Sequence, residues 1–243
     1  MSATRRALIA GLGLIGGSIG IALRARGWHV AYLDPFVDDP RGAADERVTE
    51  IVSADVVVLA TPVDVAVAEV AGRRGRGAGV VTSVCSVMAP LRAVAGENFV
   101  AGHPLAGSEK HGLGAARGDL FRDKVWFVDR EHPLVAEIVA ACGARLELVD
   151  ADDRDRAIAL TSHLPQLLST ALAAHLEGVD PRFVGTGLKT FLRLAESDAS
   201  VWAPVLKANE ANIAPHLDAV LRIAREMLRG DGGPFARAQE FIR

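Results

Sequence analysis

Short apolar runs alternate with stretches of helical periodicity along the first 150 residues of the chain. Seven of these runs are strand candidates, at residues 7–10, 29–33, 56–60, 79–84, 99–102, 125–128 and 146–149. Several are apolar at consecutive positions, which is typical of strands that helices cover on both faces. The alternation predicts an α/β fold with a doubly wound, mostly parallel sheet over residues 1–150.

The β-branched runs stop after Val149, and the pattern then becomes helical. Asp150 and Asp153 are placed to cap the start of a long helix. Its apolar positions recur every three or four residues, at Ala157, Leu160, Leu164, Leu168 and Leu172. Residues 151–243 are therefore predicted to form an all-helical second domain. Because no linker rich in proline, glycine or serine separates the two domains, we expect them to pack together around a cleft.

Further helix boundaries can be placed in this second half. Asp180 followed by Pro181 is typical of an N-cap with proline in the first helical turn. A last helix is expected from about Val201, with a kink near Pro215. The glycine-rich residues 229–234 are expected to form a surface turn that leads to a short tail.

The composition excludes several classes of partner. Half of the 243 residues are hydrophobic, and the net charge is −3. No run of basic residues indicates nucleic acid or a membrane surface as a partner. Cys85 and Cys142 show no disulfide or metal-site spacing, and neither a signal sequence nor a membrane-spanning run is recognisable. We therefore expect a cytoplasmic protein with no bound metal.

A glycine-rich segment follows the first predicted strand and opens a predicted helix. Gly11, Gly13 and Gly16 have the G-x-G-x-x-G spacing of a dinucleotide-binding loop. In such a loop the first glycine allows a tight turn, the second lets a pyrophosphate approach the backbone, and the third lets helix and strand pack closely. We expect this segment, with Leu14 and Ile15, to bind a dinucleotide in a Rossmann-type fold. A glycine loop that only begins a helix is the alternative.

An acidic residue supports the dinucleotide interpretation. Asp34 ends the second predicted strand, 18 residues after Gly16, where an acid that binds the adenosine ribose hydroxyls is expected. Pro35 and Phe36 come next, so no arginine immediately follows Asp34 to receive a 2′-phosphate, and NAD is favoured over NADP. Thr61 and Pro62 leave the carboxyl edge of the sheet and are expected to contact the cofactor, although an ordinary turn explains them equally well.

Two candidate catalytic residues follow predicted strands, where ligands bind in open α/β sheets. His103 follows the strand at 99–102, and a histidine there can take a proton from a hydroxyl as hydride leaves the same carbon. Glu109 lies in the same loop. Ser86 follows another strand, where its hydroxyl could orient His103, approach a nicotinamide ring or cap a helix. For His103 the alternative is a loop histidine that bonds a backbone carbonyl.

The helical half supplies candidate substrate-binding residues. His163 and Gln166 lie three apart among leucines, and such a polar pair needs hydrogen-bond partners or a wet cleft. Arg193 offers a guanidinium, a bidentate partner for a substrate carboxylate, unless it lies on a solvated helix face. Asn209, seven residues after Trp202, falls within an apolar stripe and needs a structural hydrogen bond or a subunit contact.

Together these residues resemble the prephenate/arogenate dehydrogenase family of tyrosine biosynthesis over about residues 6–215. The likeness is carried by the glycine motif, by ADVVVLATPV at 54–63, by GHPLAGSEKHG at 102–112, by SHLP at 162–165 and by the spacing of Arg193, Trp202 and Asn209. The family has a dinucleotide-binding domain followed by a helical domain through which subunits dimerise. The resemblance therefore implies a homodimer.

The resemblance also implies a reaction, the NAD-dependent oxidative decarboxylation of prephenate to 4-hydroxyphenylpyruvate. His103 matches the histidine that hydrogen-bonds and polarises the C4 hydroxyl, and Ser86 matches the serine that supports this contact. Arg193 matches the arginine that holds a substrate carboxylate. Glu109 and His163 match further residues of the substrate pocket.

The chain departs from the family pattern at three positions. Ser83 and Met88 stand where the family commonly has an aspartate and a lysine, and Gln166 replaces a second histidine after Leu-Pro. We expect Gln166 and Trp202 still to contact the substrate. The departures leave open whether that substrate is prephenate, arogenate or an amino-substituted prephenate.

Two other functions fit the same domain organisation. A dehydrogenase of the β-hydroxyacid or imine type would be expected to use a lysine of the helical domain as acid or base, and Lys189 and Lys207 are the candidates. The second alternative is a sensor that binds the cofactor but has lost catalytic activity. It is suggested by Ser83 and Met88, which replace an aspartate and a lysine that the family commonly has.

Overall fold

The computed structural model describes residues 4–72, 79–106 and 111–243. Glu109, expected in the substrate pocket, lies outside the described residues. By its internal contacts the chain divides into two compact units. We call them the sheet unit, formed by Met1–Asp155 and Ser197–Ala208, and the helical unit, formed by Arg156–Glu196 and Asn209–Arg243.

Six parallel strands form the main sheet of the sheet unit. They are β1 (Arg6–Ala10), β2 (His29–Leu33), β3 (Glu46–Arg47), β4 (Val56–Leu59), β5 (Val80–Ser83) and β6 (Phe99–Val100). Their order is β3-β2-β1-β4-β5-β6, and all neighbouring strands are parallel. The strand order reverses between β1 and β4, which creates a ligand-binding crevice at the carboxyl ends of these strands. The predicted Rossmann-type sheet is confirmed.

Successive residues of the strands alternate between two buried apolar clusters, one on each face of the sheet. One cluster takes Ile9, Val30, Val58 and Val80, and the other takes Leu8, Ala31, Val57 and Val81. Burial on both faces explains why these strands are apolar at consecutive positions. The edge strand β3 was not predicted, because both of its residues are charged and exposed.

The chain leaves the parallel sheet at Ala101 and enters a second sheet. This sheet has the order β7 (Gly102–Pro104), β8 (Val125–Val128) and β9 (Arg145–Leu148), with β7 antiparallel to β8 and β9 parallel to it. Asp129 stabilises Ala101, the residue between the two sheets. Its carboxylate accepts the Ala101 N–H at 2.9 Å, and its own N–H donates to the Ala101 carbonyl at 3.0 Å. The single strand predicted at 99–102 is therefore divided between two sheets.

The helices of the described residues are α1 (Leu14–Arg24), α2 (Val63–Gly72), α3 (Ala89–Val94), α4 (Pro133–Ala141), α5 (Ala151–Ile158), α6 (Leu164–His175), α7 (Thr186–Leu192), α8 (Ala199–Ala208), α9 (Glu210–Leu228) and α10 (Gly233–Ile242). Helix α8 returns to the sheet unit, where Val205 and Trp202 join one apolar cluster. Within the described ranges, no helix combines the length and apolar character needed to cross a membrane.

The helical half differs from its predicted pattern at several boundaries. The last predicted helix breaks at Asn209, between α8 and α9, and Pro215 lies inside α9. Asp180 caps a 3-10 turn, Pro181–Phe183, in place of an α-helix. The predicted tail after residues 229–234 is wrong, because residues from Gly233 onward form α10.

The predicted long helix after Asp150 is interrupted by one π-helical segment, Ala159–His163, between α5 and α6. Its buried face also differs from the prediction. Leu160 is 48% exposed, whereas Arg154 and Asp155 are 3% and 1% exposed. Helix α5 therefore turns a charged pair toward the interior, whereas Leu160 of the π-helical segment is directed to the surface.

Candidate active site

The glycine loop connects β1 to α1 at the carboxyl edge of the parallel sheet. Gly11 has a φ of +89°, and a Cβ there would lie 2.5 Å from the carbonyl oxygen of Ala60. A Cβ on Gly16 would lie 2.0 Å from the carbonyl oxygen of Gly11. A Cβ on Gly13, by contrast, would meet no atom within 4 Å. The loop thus leaves open space at the start of α1, where helix N–H groups can bind a pyrophosphate.

Asp34 follows β2 and binds the glycine loop. Its Oδ2 accepts the Leu12 N–H at 2.8 Å, and its Oδ1 accepts the Phe36 N–H at 2.9 Å. Each carboxylate oxygen can accept a second hydrogen bond, so both remain able to receive ribose hydroxyls. Arg47 of β3, which the sequence analysis did not single out, donates to the Asp34 carbonyl at 3.3 Å and pairs with Asp38 at 2.6 Å. Arg47 thus braces the turn that carries Asp34.

Thr61 lies in the loop between β4 and α2, next to the glycine loop. A Cβ on Gly11 would come 3.0 Å from the Thr61 nitrogen. The Thr61 hydroxyl is buried and has no hydrogen-bond partner in the described part of the chain. A buried hydroxyl without a protein partner is uncommon, and one at this edge is suited to a bound cofactor. Pro62 follows it on the surface.

Three elements of the sheet unit bring His103, Ser86 and Arg154 together. His103 is half-buried in β7, and Ser86 lies in the turn between β5 and α3. Arg154 projects from α5, and its guanidinium donates to the Ser86 carbonyl and to Nδ1 of His103. Both predicted catalytic residues thus meet through a third residue that the sequence analysis missed.

Asp155 anchors this cluster to α3. Its carboxylate accepts the N–H of Met88 at 2.9 Å and the N–H of Ala89 at 2.9 Å, and lies 3.2 Å from the Arg154 guanidinium. Burial raises the pKa of Asp155, against the effect of these donors, and burial lowers the pKa of Arg154. A carboxylate surrounded by donors matches the ionised form, so the two residues form a charged pair. Asp155, and not Ser86, caps α3.

The two departures at residues 83 and 88 are interior positions. Met88 is fully buried in an apolar cluster. Ser83 is also fully buried, and its hydroxyl accepts the Gly102 N–H at 3.4 Å, directly before His103. Ser83 therefore ties β5 to the strand that carries His103.

In the helical unit, His163 lies in the π-helical segment and is fully buried. Its Nδ1 is 3.0 Å from the amide nitrogen of Asn209, whose oxygen accepts a hydrogen bond from Asn212 at 2.8 Å. Asn209 thus has the structural hydrogen bond that its apolar surroundings require. π-Helical turns are frequent at functional sites, which is consistent with a functional position for His163.

Helix α6 holds the segment that carries Arg193. Gln166 is 3% exposed, and its amide donates to the Leu194 carbonyl at 2.7 Å. The Ser169 hydroxyl donates to the Phe191 carbonyl at 2.9 Å. Arg193 lies between these two carbonyls along the chain and is exposed. The predicted substrate residue Gln166 thus bonds the backbone beside Arg193.

The remaining candidate residues are Trp202 and two lysines. Trp202, expected to contact substrate, packs against an apolar cluster of the sheet unit. Lys189 and Lys207, the candidates for an acid or base, are both exposed.

A sequence signal for Arg154 did exist. Ala151, Arg154, Asp155 and Ala159 follow the spacing of one helix face, and all four are buried. A charged pair on an otherwise apolar face indicates a buried polar network. The prediction chose the neighbouring face because it took Leu160 as a buried position of the apolar stripe.

Comparisons with known proteins agree with this geometry. Residues 38–148 match the family model of the prephenate dehydrogenase nucleotide-binding domain. Residues 150–229 match the model of the prephenate dehydrogenase dimerization domain.

Individual relatives support the same family. The probable prephenate dehydrogenase NovF of Streptomyces niveus is 34% identical over an alignment that covers 98% of this chain and 75% of NovF. The prephenate dehydrogenase of Lactococcus lactis is 26% identical, with coverages of 89% and 70%. The crystal structure of Aquifex aeolicus prephenate dehydrogenase with hydroxyphenyl propionate and NAD+ has a TM-score of 0.83 at 24% identity, with coverages of 99% and 96%. The resemblance is confirmed: this chain is an oxidoreductase that belongs to the prephenate dehydrogenase family.

Proposed function

We propose that this chain catalyses the NAD-dependent oxidative decarboxylation of prephenate to 4-hydroxyphenylpyruvate. The cluster of His103, Ser86 and Arg154 supports this reaction, because it lies at the sheet edge that also carries the glycine loop. Ligands of parallel α/β sheets bind at this edge. Prephenate is chosen because the relatives from Streptomyces niveus and Lactococcus lactis carry its name.

The cofactor is NAD, which accepts a hydride when bound. The open space at Gly13 accommodates its pyrophosphate, with Leu14 and Ile15 in the first turn of α1 below it. The Asp34 carboxylate receives the adenosine ribose hydroxyls. The Thr61 hydroxyl, buried without a protein partner in the described residues, belongs to the loop next to Gly11 and forms a hydrogen bond with the cofactor in this proposal.

His103 hydrogen-bonds the C4 hydroxyl of the substrate, and Ser86 supports this contact. Arg193 binds a substrate carboxylate through its guanidinium. The ring carboxylate leaves as CO2 and the hydroxyl remains as the phenol of the product, so the protein need not remove a proton. Gln166 positions Arg193 in this proposal, because its amide holds the neighbouring backbone carbonyl.

The helical unit is further proposed to form a homodimer. This proposal rests on the match of residues 150–229 to the dimerization domain of the family.

A turnover assay tests the proposed reaction. The full chain is incubated with NAD+ and either prephenate or arogenate, and both reduced cofactor and released CO2 are measured. We expect equal amounts of reduced cofactor and CO2, with a higher kcat/KM for prephenate. A higher kcat/KM for arogenate would replace the proposed substrate. Reduced cofactor without CO2, or tight NAD binding without turnover, would contradict the reaction itself.

A further inference from the structure

An arginine lies beside Asp34 although none follows Asp34 directly in the sequence. Arg47 of β3 donates from Nη2 to the carbonyl oxygens of Asp34 and Pro35, at 3.3 and 3.4 Å. Strand β3 runs parallel to β2 with Arg47 opposite Tyr32, and this pairing brings the arginine next to the carboxyl end of β2. The fold thus supplies, from 13 residues further along the chain, the basic side chain that the residues directly after Asp34 lack.

The charge of Arg47 is engaged by a second carboxylate. Its Nη1 lies 2.6 Å from Oδ1 of Asp38. The side chains of Arg47 and Asp38 are 41% and 93% exposed, and an exposed ion pair contributes only about 0–1 kcal/mol to stability. The pair therefore contributes little to folding, but it determines which anion the Arg47 guanidinium binds.

We propose that Asp38 is a specificity-determining residue, which favours NAD over NADP because it binds the Arg47 guanidinium. The inference rests on the assignment of the adenosine ribose to Asp34 in the proposed function, and not on the reaction. NADP carries a phosphate in place of one ribose hydroxyl, and an arginine near the ribose receives that phosphate in NADP-binding folds. The guanidinium must leave the Asp38 carboxylate before it can bind a phosphate, and the same carboxylate repels the phosphate.

The acidic residues of this turn have different partners. Asp34 accepts the N–H groups of Leu12 and Phe36, so its carboxylate is fixed beside the glycine loop. Asp38 pairs with Arg47, whereas the next residue, Asp39, accepts the Arg41 N–H at 2.9 Å. Asp38 and Asp39 are neighbouring, exposed and equally charged, so substitutions at the two positions separate the bond to Arg47 from the charge of the turn.

Binding measurements with NAD+ and NADP+ test the inference without any substrate. The dissociation constants of the full chain are measured by calorimetric titration. The ratio of the NADP+ constant to the NAD+ constant is then compared among variants, because loosening of the turn would weaken both cofactors alike. We expect a ratio of at least about 100 for the unaltered chain, since like charges placed together are strongly unfavourable.

The substitution Asp38→Ala should lower this ratio about fivefold, the factor that corresponds to an exposed ion pair of about 1 kcal/mol. The affinity for NAD+ should stay within about twofold. The same comparison is made in an Asp34→Asn background, in which the directly opposing charge is absent and NADP+ binds tightly enough for a precise titration. Adenosine 2′,5′-bisphosphate and 5′-AMP should show the same shift, because they contain the adenosine end of the cofactor alone. An unchanged ratio in Asp38→Ala would overturn the inference.

Two further variants separate the role of Arg47 from a general effect of charge. Asp39→Asn removes one negative charge, keeps an oxygen for the Arg41 N–H, and should leave the ratio unchanged. Asp38→Ala combined with Arg47→Met should return the ratio to that of Arg47→Met alone, because the group that receives the phosphate is then absent. An equal shift in Asp39→Asn, or a shift that persists in the combined variant, would contradict the role of Arg47.

The single variant Asp34→Asn separates this inference from the proposed function. It should weaken NAD+ binding about tenfold, because a hydrogen bond to a charged group is lost. Normal NAD+ affinity in this variant would overturn the ribose assignment, on which the inference rests. Weakened NAD+ binding together with a ratio that does not respond to Asp38→Ala would leave the ribose assignment in place and overturn the inference alone. Neither result depends on whether prephenate or arogenate is turned over.

Discussion

The three glycines of the loop between β1 and α1 have different structural requirements. Gly11 and Gly16 are required by the protein itself, because a Cβ at either would overlap a backbone carbonyl oxygen. Gly13 is not required by any protein contact within 4 Å. A side chain at Gly13 would therefore hinder a bound ligand and not the fold. Of the three glycines, Gly13 is the one whose substitution tests cofactor binding separately from stability.

Alanine substitutions should separate these two tasks. Gly13→Ala should leave the melting temperature unchanged and weaken NAD binding by about tenfold or more, a loss of roughly 1.4 kcal/mol. Gly16→Ala should destabilise the fold by about 1–3 kcal/mol, because its Cβ would lie 2.0 Å from the Gly11 oxygen. Thermal unfolding and calorimetric titration with NAD+ measure both effects. Normal NAD affinity in Gly13→Ala would place the pyrophosphate elsewhere.

Arg193 provides a second prediction for a single residue. Arg193→Ala should raise the KM for prephenate by about 10- to 100-fold, since a hydrogen bond to a charged group contributes roughly 1.5–3 kcal/mol. The affinity for NAD should not change. Arg182→Ala is the control, because Arg182 is 85% exposed and pairs with Asp180. An unchanged KM in steady-state kinetics would remove Arg193 from the site.

Whole elements position these residues. Helix α5 carries Arg154 and Asp155 to the turn before α3, and α6 carries Gln166 and Ser169 to the segment around Arg193. Each helix thus holds a segment that carries a candidate functional residue, through side-chain bonds to backbone groups of that segment. Such bonds fix the position of a segment without depending on the side chains that the segment carries.

The role of α6 can be measured with a double-mutant cycle. Gln166→Leu should raise the KM for prephenate because it frees the carbonyl beside Arg193, and the effect should vanish when Arg193 is already alanine. His175→Ala, at the exposed end of the same helix, should leave KM unchanged. Additive effects of Gln166→Leu and Arg193→Ala would instead show that Gln166 contacts the substrate itself.

The elements also show where sequence patterns stop being sufficient. Strands such as β1 and β4 were predictable because burial on both faces makes them continuously apolar. The division between β6 and β7 was not, because it depends on bonds from Ala101 to Asp129, 28 residues away. Helix α10 was missed because its glycines and proline stand at its start, where they are typical of a turn as well as of a helix N-terminus.

At the scale of the whole molecule, the helical unit presents apolar side chains that its own fold does not cover. They include Leu221, Leu228, Phe235, Phe241 and Ile242 on α9 and α10, with Leu228 at 88% exposure. Exposed apolar groups on this scale mark an interaction surface. Residues up to 229 belong to the match with the dimerization domain, so a second copy of the chain is the expected partner.

The proposed assembly gives a prediction for the mass of the particle. Light scattering at micromolar concentration should give twice the mass of the 25.6 kDa chain. Leu228→Glu should shift the mass toward one chain, because it places a charge on the proposed interface. Phe36→Glu, at a 93% exposed phenylalanine of the sheet unit, should leave the mass unchanged. A single-chain mass for the unaltered protein would contradict the homodimer.

The sequence by itself determined the parallel sheet, the glycine loop and the positions of Asp34 and Ser86 after strands, because these follow from local spacing and from the period of burial. His103, predicted after a strand, lies within β7 of the second sheet. Only the tertiary structure decided which polar groups meet. Arg154 reaches His103 across 51 residues of chain, and Gln166 reaches Leu194 across 28. Buried donors and acceptors must find partners, but any acceptor satisfies a donor, so the choice depends on how the elements pack and not on the spacing of the residues.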